Sequence, residues 1–152
     1  LIDFKREVIS IARAGHCPLL LLRDGKVKNI RPQGIGLGLI FGDQFEQSLE
    51  EIELNLQDND MIVLYTDGIT EAKNINMEDF GETNFEKILL NNSEKSADDI
   101  SNEVIKEISQ FSKHNTQHDD ITLVILKWKQ NLKIDGDKEW QNSTPQLKTK
   151  VM

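Results

Sequence analysis

A run of five apolar or aromatic residues, Met61 to Tyr65, constrains the fold of this chain more than any other feature. The turn-forming residues Asp58-Asn59-Asp60 come before the run, and Thr66-Asp67-Gly68 follows it. A short apolar run between two turn signals is typical of a buried β-strand. The sequence therefore predicts a central strand over 61–65 that delivers the carboxylate of Asp67 at its C-terminal end.

Other strand patterns lie on both sides of this run. The pair Asp24-Gly25 is typical of a tight hairpin turn, and the glycine-dense stretch 34–42 predicts a loop. The remaining strands are predicted from apolar or alternating segments. These segments are Arg6 to Ala14, Leu19 to Arg23, Val27 to Ile30, an irregular alternation from Phe45 to Leu56, and Ile121 to Trp128.

Two helices are predicted between residue 80 and the last strand. Thr83-Asn84-Phe85-Glu86 has the spacing of a capping box, which predicts the start of a short helix. Ser96, with Asp99 three residues later, is a second cap candidate, and apolar residues continue at helical spacing to about Ser112. Residues 1–130 should form one folded unit with a single core. Polar residues dominate 131–152, which predicts a poorly ordered polar tail.

The charge distribution excludes one class of partner. The formal net charge is −8, and residues 127–152 carry six lysines against three acids, so the rest of the chain is more acidic still. Nucleic-acid binding needs clustered Lys and Arg, so no nucleic-acid partner is expected. An acidic chain suits cations, although most of these acids are expected to form a solubilising surface.

The setting is expected to be cytoplasmic. The single cysteine, Cys17, excludes an internal disulfide and fits a reducing compartment. Apolar stretches such as Leu19 to Leu22 are too short for a signal peptide or a membrane span.

Two acidic spots stand at the ends of predicted strands and are candidate metal ligands. Asp67 follows the strand 61–65, and the pair Asp119-Asp120 precedes the last strand. Carboxylates in such positions are ligands for Mg²⁺ or Mn²⁺. Spacing alone leaves alternatives open: Asp67 could be the N-cap of a helix, and Asp119-Asp120 could be a solvated turn.

Five short motifs occur in a fixed order along the chain. They are Ala14-Gly15-His16-Cys17-Pro18, Gly36-Leu37-Gly38, Tyr65-Thr66-Asp67-Gly68-Ile69-Thr70-Glu71-Ala72, Phe80-Gly81 and Asp119-Asp120-Ile121-Thr122. This ordered set closely resembles the stage II sporulation protein E family, a bacterial branch of the protein phosphatase 2C superfamily. The resemblance covers about residues 1–128.

The resemblance implies an α+β fold and a metal-dependent activity. The implied fold is an α-β-β-α sandwich of antiparallel sheets with flanking helices. The implied activity is hydrolysis of phosphoserine or phosphothreonine by a metal-activated water at a centre of two Mn²⁺ or Mg²⁺ ions. The implied substrate is a phosphorylated anti-anti-sigma factor of the STAS type, in a sigma-regulatory partner-switching system.

The resemblance also assigns roles to single residues. Asp67, with Gly68, matches the metal-binding aspartate of the family's TDG or SDG signature. Asp119 matches the first aspartate of its DDxT signature, also a ligand, and Asp120 is given a supporting role. His16 lies in the AGH signature and is assigned a catalytic part in phosphate or metal positioning. The alternative for His16 is a structural hydrogen bond to the backbone.

One family signature is absent from this chain. The family carries an N-terminal motif resembling GDVxGHG, whose aspartate bridges both metals, and no such motif precedes Ala14. Residues 1–130 are therefore expected to be the C-terminal portion of the domain, a partial sandwich with a weakened metal site. Strand edges left without partners favour a homodimer or strand exchange.

The sequence leaves one alternative to a phosphatase open and disfavours another. The chain could be a non-catalytic interaction module that keeps the fold and binds a phosphoprotein or sigma-regulatory partner, as the missing aspartate would allow. A generic Ca²⁺-binding domain is disfavoured, because Asp58-Asn59-Asp60 lacks the glycine and the distal glutamate of an EF-hand loop.

Overall fold

The computed structural model describes residues 1–113 and 119–130, and the backbone of residues 146–151. This part of the chain forms two antiparallel sheets and three helices. In chain order the elements are β1 (Ile2–Asp3), β2 (Val8–Ala12), β3 (Leu19–Arg23), β4 (Lys26–Ile30), α1 (Asp43–Ser48), β5 (Glu51–Asn55), β6 (Met61–Tyr65), α2 (Gly81–Asn91), α3 (Ala97–Phe111), β7 (Thr122–Lys127) and β8 (Gln146–Val151).

The larger sheet has five strands in the order β4-β3-β6-β7-β8. The run Met61–Tyr65 forms its central strand, as the sequence predicts, and pairs with β3 on one side and β7 on the other. The predicted hairpin at Asp24-Gly25 joins β3 to β4. Because every neighbouring pair is antiparallel, the start of β3, the end of β6 and the start of β7 meet at one edge of this sheet.

Helices α2 and α3 cover one face of the five-stranded sheet. Phe85 and Leu89 of α2 are fully buried, as are Ile100 and Val104 of α3. They pack in one apolar cluster with the strand residues Leu20, Leu22, Met61, Val63, Leu123 and Ile125. Each such fully buried side chain stabilises the fold by about 1.5–3 kcal/mol relative to exposure, so this cluster holds the helices on the sheet.

The three-stranded sheet, in the order β1-β2-β5, packs against the other face. A second apolar cluster joins Ile9 and Leu56 to Leu21, Ile62 and Leu126 of the larger sheet. The layers are therefore helix, sheet and sheet. Mixed α and β structure with antiparallel sheets confirms the predicted fold class.

A buried ion pair also links the two sheets. Arg23, at the end of β3, donates from Nε and Nη2 to the carboxylate of Asp60 at 2.8 and 2.6 Å. The same guanidinium donates to the carbonyl of Asn55 in β5 at 2.8 Å. The Asp60 side chain is fully buried, so removing either partner would leave an uncompensated charge.

One of the two helix-start predictions is confirmed and the other is wrong. Ser96 caps α3, because its Oγ accepts from the Asp99 amide at 3.1 Å. The capping box at Thr83 does not form, since α2 begins at Gly81 with no side-chain cap. Backbone bonds from Phe80 to Ala72 and from Gly81 to Thr70, at 2.9 and 2.8 Å, set that start.

The irregular strand predicted from Phe45 is wrong over its first residues. Residues 43–48 form α1, which buries no side chain, and the strand β5 covers only Glu51–Asn55. The regular alternation of apolar and polar residues begins only at Ile52, which explains why the longer strand does not form.

The predicted polar tail is only partly within the described residues. Residues 146–151 form β8, which extends the five-stranded sheet along β7. Residues 131–145 and 152 lie outside the described part of the chain. No described helix is long and apolar enough to span a membrane.

Candidate metal centre

The sheet register places the two acidic motifs side by side. Tyr65, the last residue of β6, lies opposite Leu123 near the start of β7. The residues after Tyr65 therefore run beside those before Leu123. The edge where they meet carries Asp67 from one strand end and Asp119 and Asp120 from the other.

Thr66 ties these two strand ends together. Its amide donates to the carbonyl of Thr122 at 3.1 Å. Its Oγ1 donates to the carbonyl of Asp120 at 3.0 Å and accepts from the amide of Thr122 at 2.9 Å. Three bonds that involve one residue thus fix the backbone of Asp120 and Thr122 against the end of β6.

Gly68 brings the turn after Asp67 into direct contact with the acidic pair. A Cβ placed on Gly68 would lie 2.6 Å from the carbonyl oxygen of Asp120 and 3.4 Å from that of Asp119. Any larger residue would force the two backbones apart. Glycine is therefore required at this position by close approach rather than by an unusual backbone angle.

The Asp67 segment is a turn and not a helix start. The amide of Glu71 donates to the Asp67 carbonyl at 2.8 Å, and Thr70 Oγ1 donates to it at 3.3 Å. The following helix, α2, begins only at Gly81. The alternative of Asp67 as a helix N-cap is therefore wrong, and its carboxylate is exposed at the sheet edge.

The carboxylates present suit a hard divalent cation but do not form a complete site. Asp119 and Asp120 are exposed like Asp67, and Asp119 Oδ1 accepts from the Asp120 amide at 2.8 Å. Mg²⁺ commonly takes one or two protein carboxylates and keeps several waters. Within the described residues, no three His, Cys, Asp or Glu side chains are grouped to hold a metal. These carboxylates are the kind of ligand that a hard divalent cation takes, and they make up part of a metal centre.

His16 lies in a turn that is held by neighbouring backbone groups. Arg13 donates from Nη1 to the His16 carbonyl at 2.9 Å and from Nε to the Pro32 carbonyl at 3.1 Å. The His16 Nδ1 lies 3.2 Å from the Cys17 carbonyl. This contact agrees with the structural alternative for the imidazole, although the ring is exposed at the same edge.

The glycine loop packs directly on this turn. A Cβ on Gly15, whose φ is +83°, would lie 2.8 Å from the Cα of Gly36. The glycines of the first two motifs therefore meet in space. Beyond this contact the loop exposes three large apolar side chains, Leu37, Leu39 and Phe41.

A cleft of about 300 Å³ opens between the two sheets beside the acidic edge. His16, Tyr65 and Thr122 line it on the side of the acidic motifs, and its walls are mostly apolar. Leu64 also lines the cleft and is 41% exposed, whereas the other four residues of β6 are buried. The apolar interior of the sandwich is thus partly open at this point.

The edge has a negative electrostatic field. Burial raises the pKa of the Cys17 thiol, and the charges of Asp67, Glu71 and Glu82 raise it further. Burial, followed by the charge of Glu82, raises the pKa of Tyr65 to about 12. Both groups therefore stay neutral at physiological pH, and the acidic field favours a bound cation.

Sequence reasoning missed the residues that hold the site together. The motif containing Thr66 was recognised, but the role of its hydroxyl depends on the pairing of β6 with β7. Arg13 was not singled out, although it fixes the His16 turn. No local pattern marks either role.

The layered fold is that of protein phosphatase 2C-like domains. The family model of stage II sporulation protein E matches residues 1–129. The chain belongs to this family.

Solved structures support the fold. The phosphatase domain of the cell fate determinant SpoIIE from Bacillus subtilis, presoaked with Mn, superposes with a TM-score of 0.64 and 18% identity, over 92% of this chain and 57% of that one. The SiaA-PP2C domain of Pseudomonas aeruginosa superposes with a TM-score of 0.68 and 21% identity, over 84% and 49%.

One relative in sequence is Protein IcfG from Synechocystis sp. It is 29% identical over 129 residues, which make up 82% of this chain and 19% of IcfG. The chain thus spans about half the length of the two solved domains and a fifth of IcfG.

Proposed function

We propose that this chain is part of a metal-dependent serine/threonine phosphoprotein phosphatase. The observation that carries the proposal is the junction of the Thr66-Asp67-Gly68 turn with Asp119-Asp120, which is fixed by three hydrogen bonds from Thr66. The backbones of the two acidic motifs are in contact there, so a family member carries part of a metal centre at this edge.

In this proposal Asp67 and Asp119 are ligands of Mn²⁺ or Mg²⁺, with Asp120 and the backbone of Gly68 in support. A bound divalent cation supplies an activated water and neutralises charge on the phosphoryl group. Gly68 carries no side chain, so the turn and the acidic pair can touch. His16 lies beside the cleft. His16 has a positioning role toward phosphate or metal.

The proposed substrate is a phosphorylated STAS-type anti-anti-sigma factor, and the proposed setting is the cytoplasm. Family membership supports the first proposal, and the single cysteine, which fits a reducing compartment, supports the second. A homodimer or strand exchange is also proposed, because the cleft beside Leu64 leaves apolar surface open to a second protein segment.

A second candidate function is a non-catalytic module that binds a phosphoprotein in a sigma-regulatory partner-switching system. The specific observation in its favour is that the described residues hold no group of three metal ligands. Such a module would use the same acidic edge and cleft without turnover.

Phosphate release from a phosphoserine peptide tests the first candidate. Joined to the remainder of a complete phosphatase domain, of which it spans about half, the chain should hydrolyse the peptide only when Mn²⁺ or Mg²⁺ is present, and Asp67→Asn should abolish that activity. Asp24→Asn is the matched control, because it neutralises an exposed carboxylate in the hairpin between β3 and β4, at the opposite edge of the sheet, and should leave turnover unchanged. Full activity in Asp67→Asn would refute the metal assignment. Metal binding without turnover would favour the interaction module.

A further inference from the structure

Arg31 lies at the same sheet edge as the candidate metal centre. It directly follows β4, whose last residue, Ile30, pairs with Leu19 at the start of β3. The start of β3 adjoins the end of β6, where Asp67 follows Tyr65. Arg31 therefore stands two strands away from the end of β6, a lateral spacing of about 10 Å, and the Asp67 turn lies directly beyond that end.

The guanidinium of Arg31 has no protein partner within the part of the chain that the structure describes. The chain has four arginines. Arg6 donates to Glu53, Arg13 to two backbone carbonyls, and Arg23 to Asp60. Arg31 is exposed and takes part in none of the described hydrogen bonds or ion pairs. Its charge and its five donors are available to a ligand.

The charge of Arg31 acts on the same groups as the acidic edge. It lowers the pKa of the Cys17 thiol, while Asp67 and Glu71 raise that pKa. It also opposes the effect of Glu82 on Tyr65. The cationic side chain and the candidate metal ligands are thus both close enough to influence Cys17.

The carboxylates of this edge repel an anionic ligand, and the charge of Arg31 offsets that repulsion. A phosphoserine carries about −1.5 to −2 charges near neutral pH, and this edge holds the carboxylates of Asp67, Glu71, Asp119 and Asp120. Arginine offers a planar pair of donors that matches two phosphate oxygens. We propose that Arg31 binds the phosphoryl group of the ligand at this edge. This inference rests on the proposed function and deepens it, since it names the residue that holds the phosphate.

Binding of inorganic phosphate tests the role of Arg31 without requiring turnover. Phosphate is titrated by calorimetry into the wild-type chain, Arg31→Ala, Arg31→Lys and Lys28→Ala, with and without Mg²⁺. Lys28→Ala is the matched control, because Lys28 is an exposed cation on the same strand. Loss of a charge-assisted hydrogen-bonded pair should weaken phosphate binding about tenfold or more in Arg31→Ala. Arg31→Lys should lose less, and Lys28→Ala should match the wild type.

Two results would overturn the proposal: equal phosphate affinity in Arg31→Ala and Lys28→Ala, or no phosphate binding by the wild-type chain in either condition. A separate titration with the metal alone distinguishes this failure from failure of the proposed function. Metal binding with phosphate binding insensitive to Arg31 would refute only the role of Arg31. Phosphate binding that depends on Arg31 in a chain that binds no metal would refute only the metal centre.

Discussion

Tyr65 is a useful reporter at the residue scale because it is the chain's only tyrosine. It ends β6 directly before the Thr66-Asp67 turn and is 2% exposed. Its ring packs edge-on against Phe85 of α2, with the ring centroids 5.0 Å apart. Burial there disfavours the phenolate, and the nearby charge of Glu82 adds to that effect.

We predict that Tyr65 ionises at about pH 12 in the folded chain and at about pH 10 in the unfolded chain. The folded pKa is the higher one, so this group's contribution to stability is complete below about pH 10. That contribution is lost between about pH 10 and 12, and the free energy of unfolding falls over this window. Tyrosinate absorbance of the folded and urea-unfolded chain measures the two pKa values.

Tyr65→Phe is the control for this prediction. The variant should show no tyrosinate signal. Its free energy of unfolding should fall less between about pH 10 and 12 than that of the wild type, because no tyrosine ionises in that range. A folded-state midpoint near pH 10 would mean that Tyr65 is accessible to water, and that the end of β6 is not packed as described.

Residue roles were predictable only where a motif carried them. Asp67 and Asp119 were singled out because each stands beside an apolar run, and the structure places their motifs in contact. Arg31 had no such signal, since its position depends on the pairing of β4 with β3 and of β3 with β6. Register of this kind cannot be derived from local spacing.

At the element scale, one hydroxyl group makes two of the hydrogen bonds that join the end of β6 to the start of β7. Thr66 Oγ1 is both the donor to the Asp120 carbonyl and the acceptor for the Thr122 amide. The bond with the Thr122 amide is partly buried, so water replaces it poorly. The acidic pair is therefore positioned by β6 as much as by its own strand.

We predict that Thr66→Val destabilises the chain by about 1–3 kcal/mol, because it leaves the Thr122 amide and the Asp120 carbonyl without a partner. Thr66→Ser keeps the hydroxyl and should cost less. Urea unfolding measures both variants. Equal stability of Thr66→Val and Thr66→Ser would show that the hydroxyl does not hold the two strand ends together.

Strands were easier to predict than helix boundaries. The bounds of β3 and β6 follow directly from apolar runs between turn signals. The start of α2 does not follow from its sequence, because backbone bonds from Phe80 to Ala72 and from Gly81 to Thr70 fix it two residues before the expected cap at Thr83. The short helix α1 takes the place of part of a predicted strand. Residues 43–48 bury no side chain, so no packed face favours the alternating pattern of a strand there.

At the scale of the whole molecule, the chain is a helix-sheet-sheet arrangement with its acidic motifs at one edge. The fold class was predictable from the ordered motifs through their family resemblance. The hydrogen bond that ties β3 to β5 was not, since Arg23 and Asn55 lie far apart in sequence. The cleft beside Leu64 was also missed, because it reflects which part of β6 the smaller sheet covers.

We infer that the edge formed by Asp67 and Asp119-Asp120 binds a divalent cation. Titration of Mn²⁺ by calorimetry into the wild-type chain, Asp67→Asn, Asp119→Asn and Asp24→Asn tests this most directly. We predict that the wild type and Asp24→Asn bind Mn²⁺ alike, since Asp24 lies in the hairpin at the opposite edge of the sheet. The Asp67 and Asp119 variants should bind about tenfold more weakly or worse, because each loses a charged oxygen ligand. No binding by the wild type, or unchanged binding in both aspartate variants, would contradict the claim.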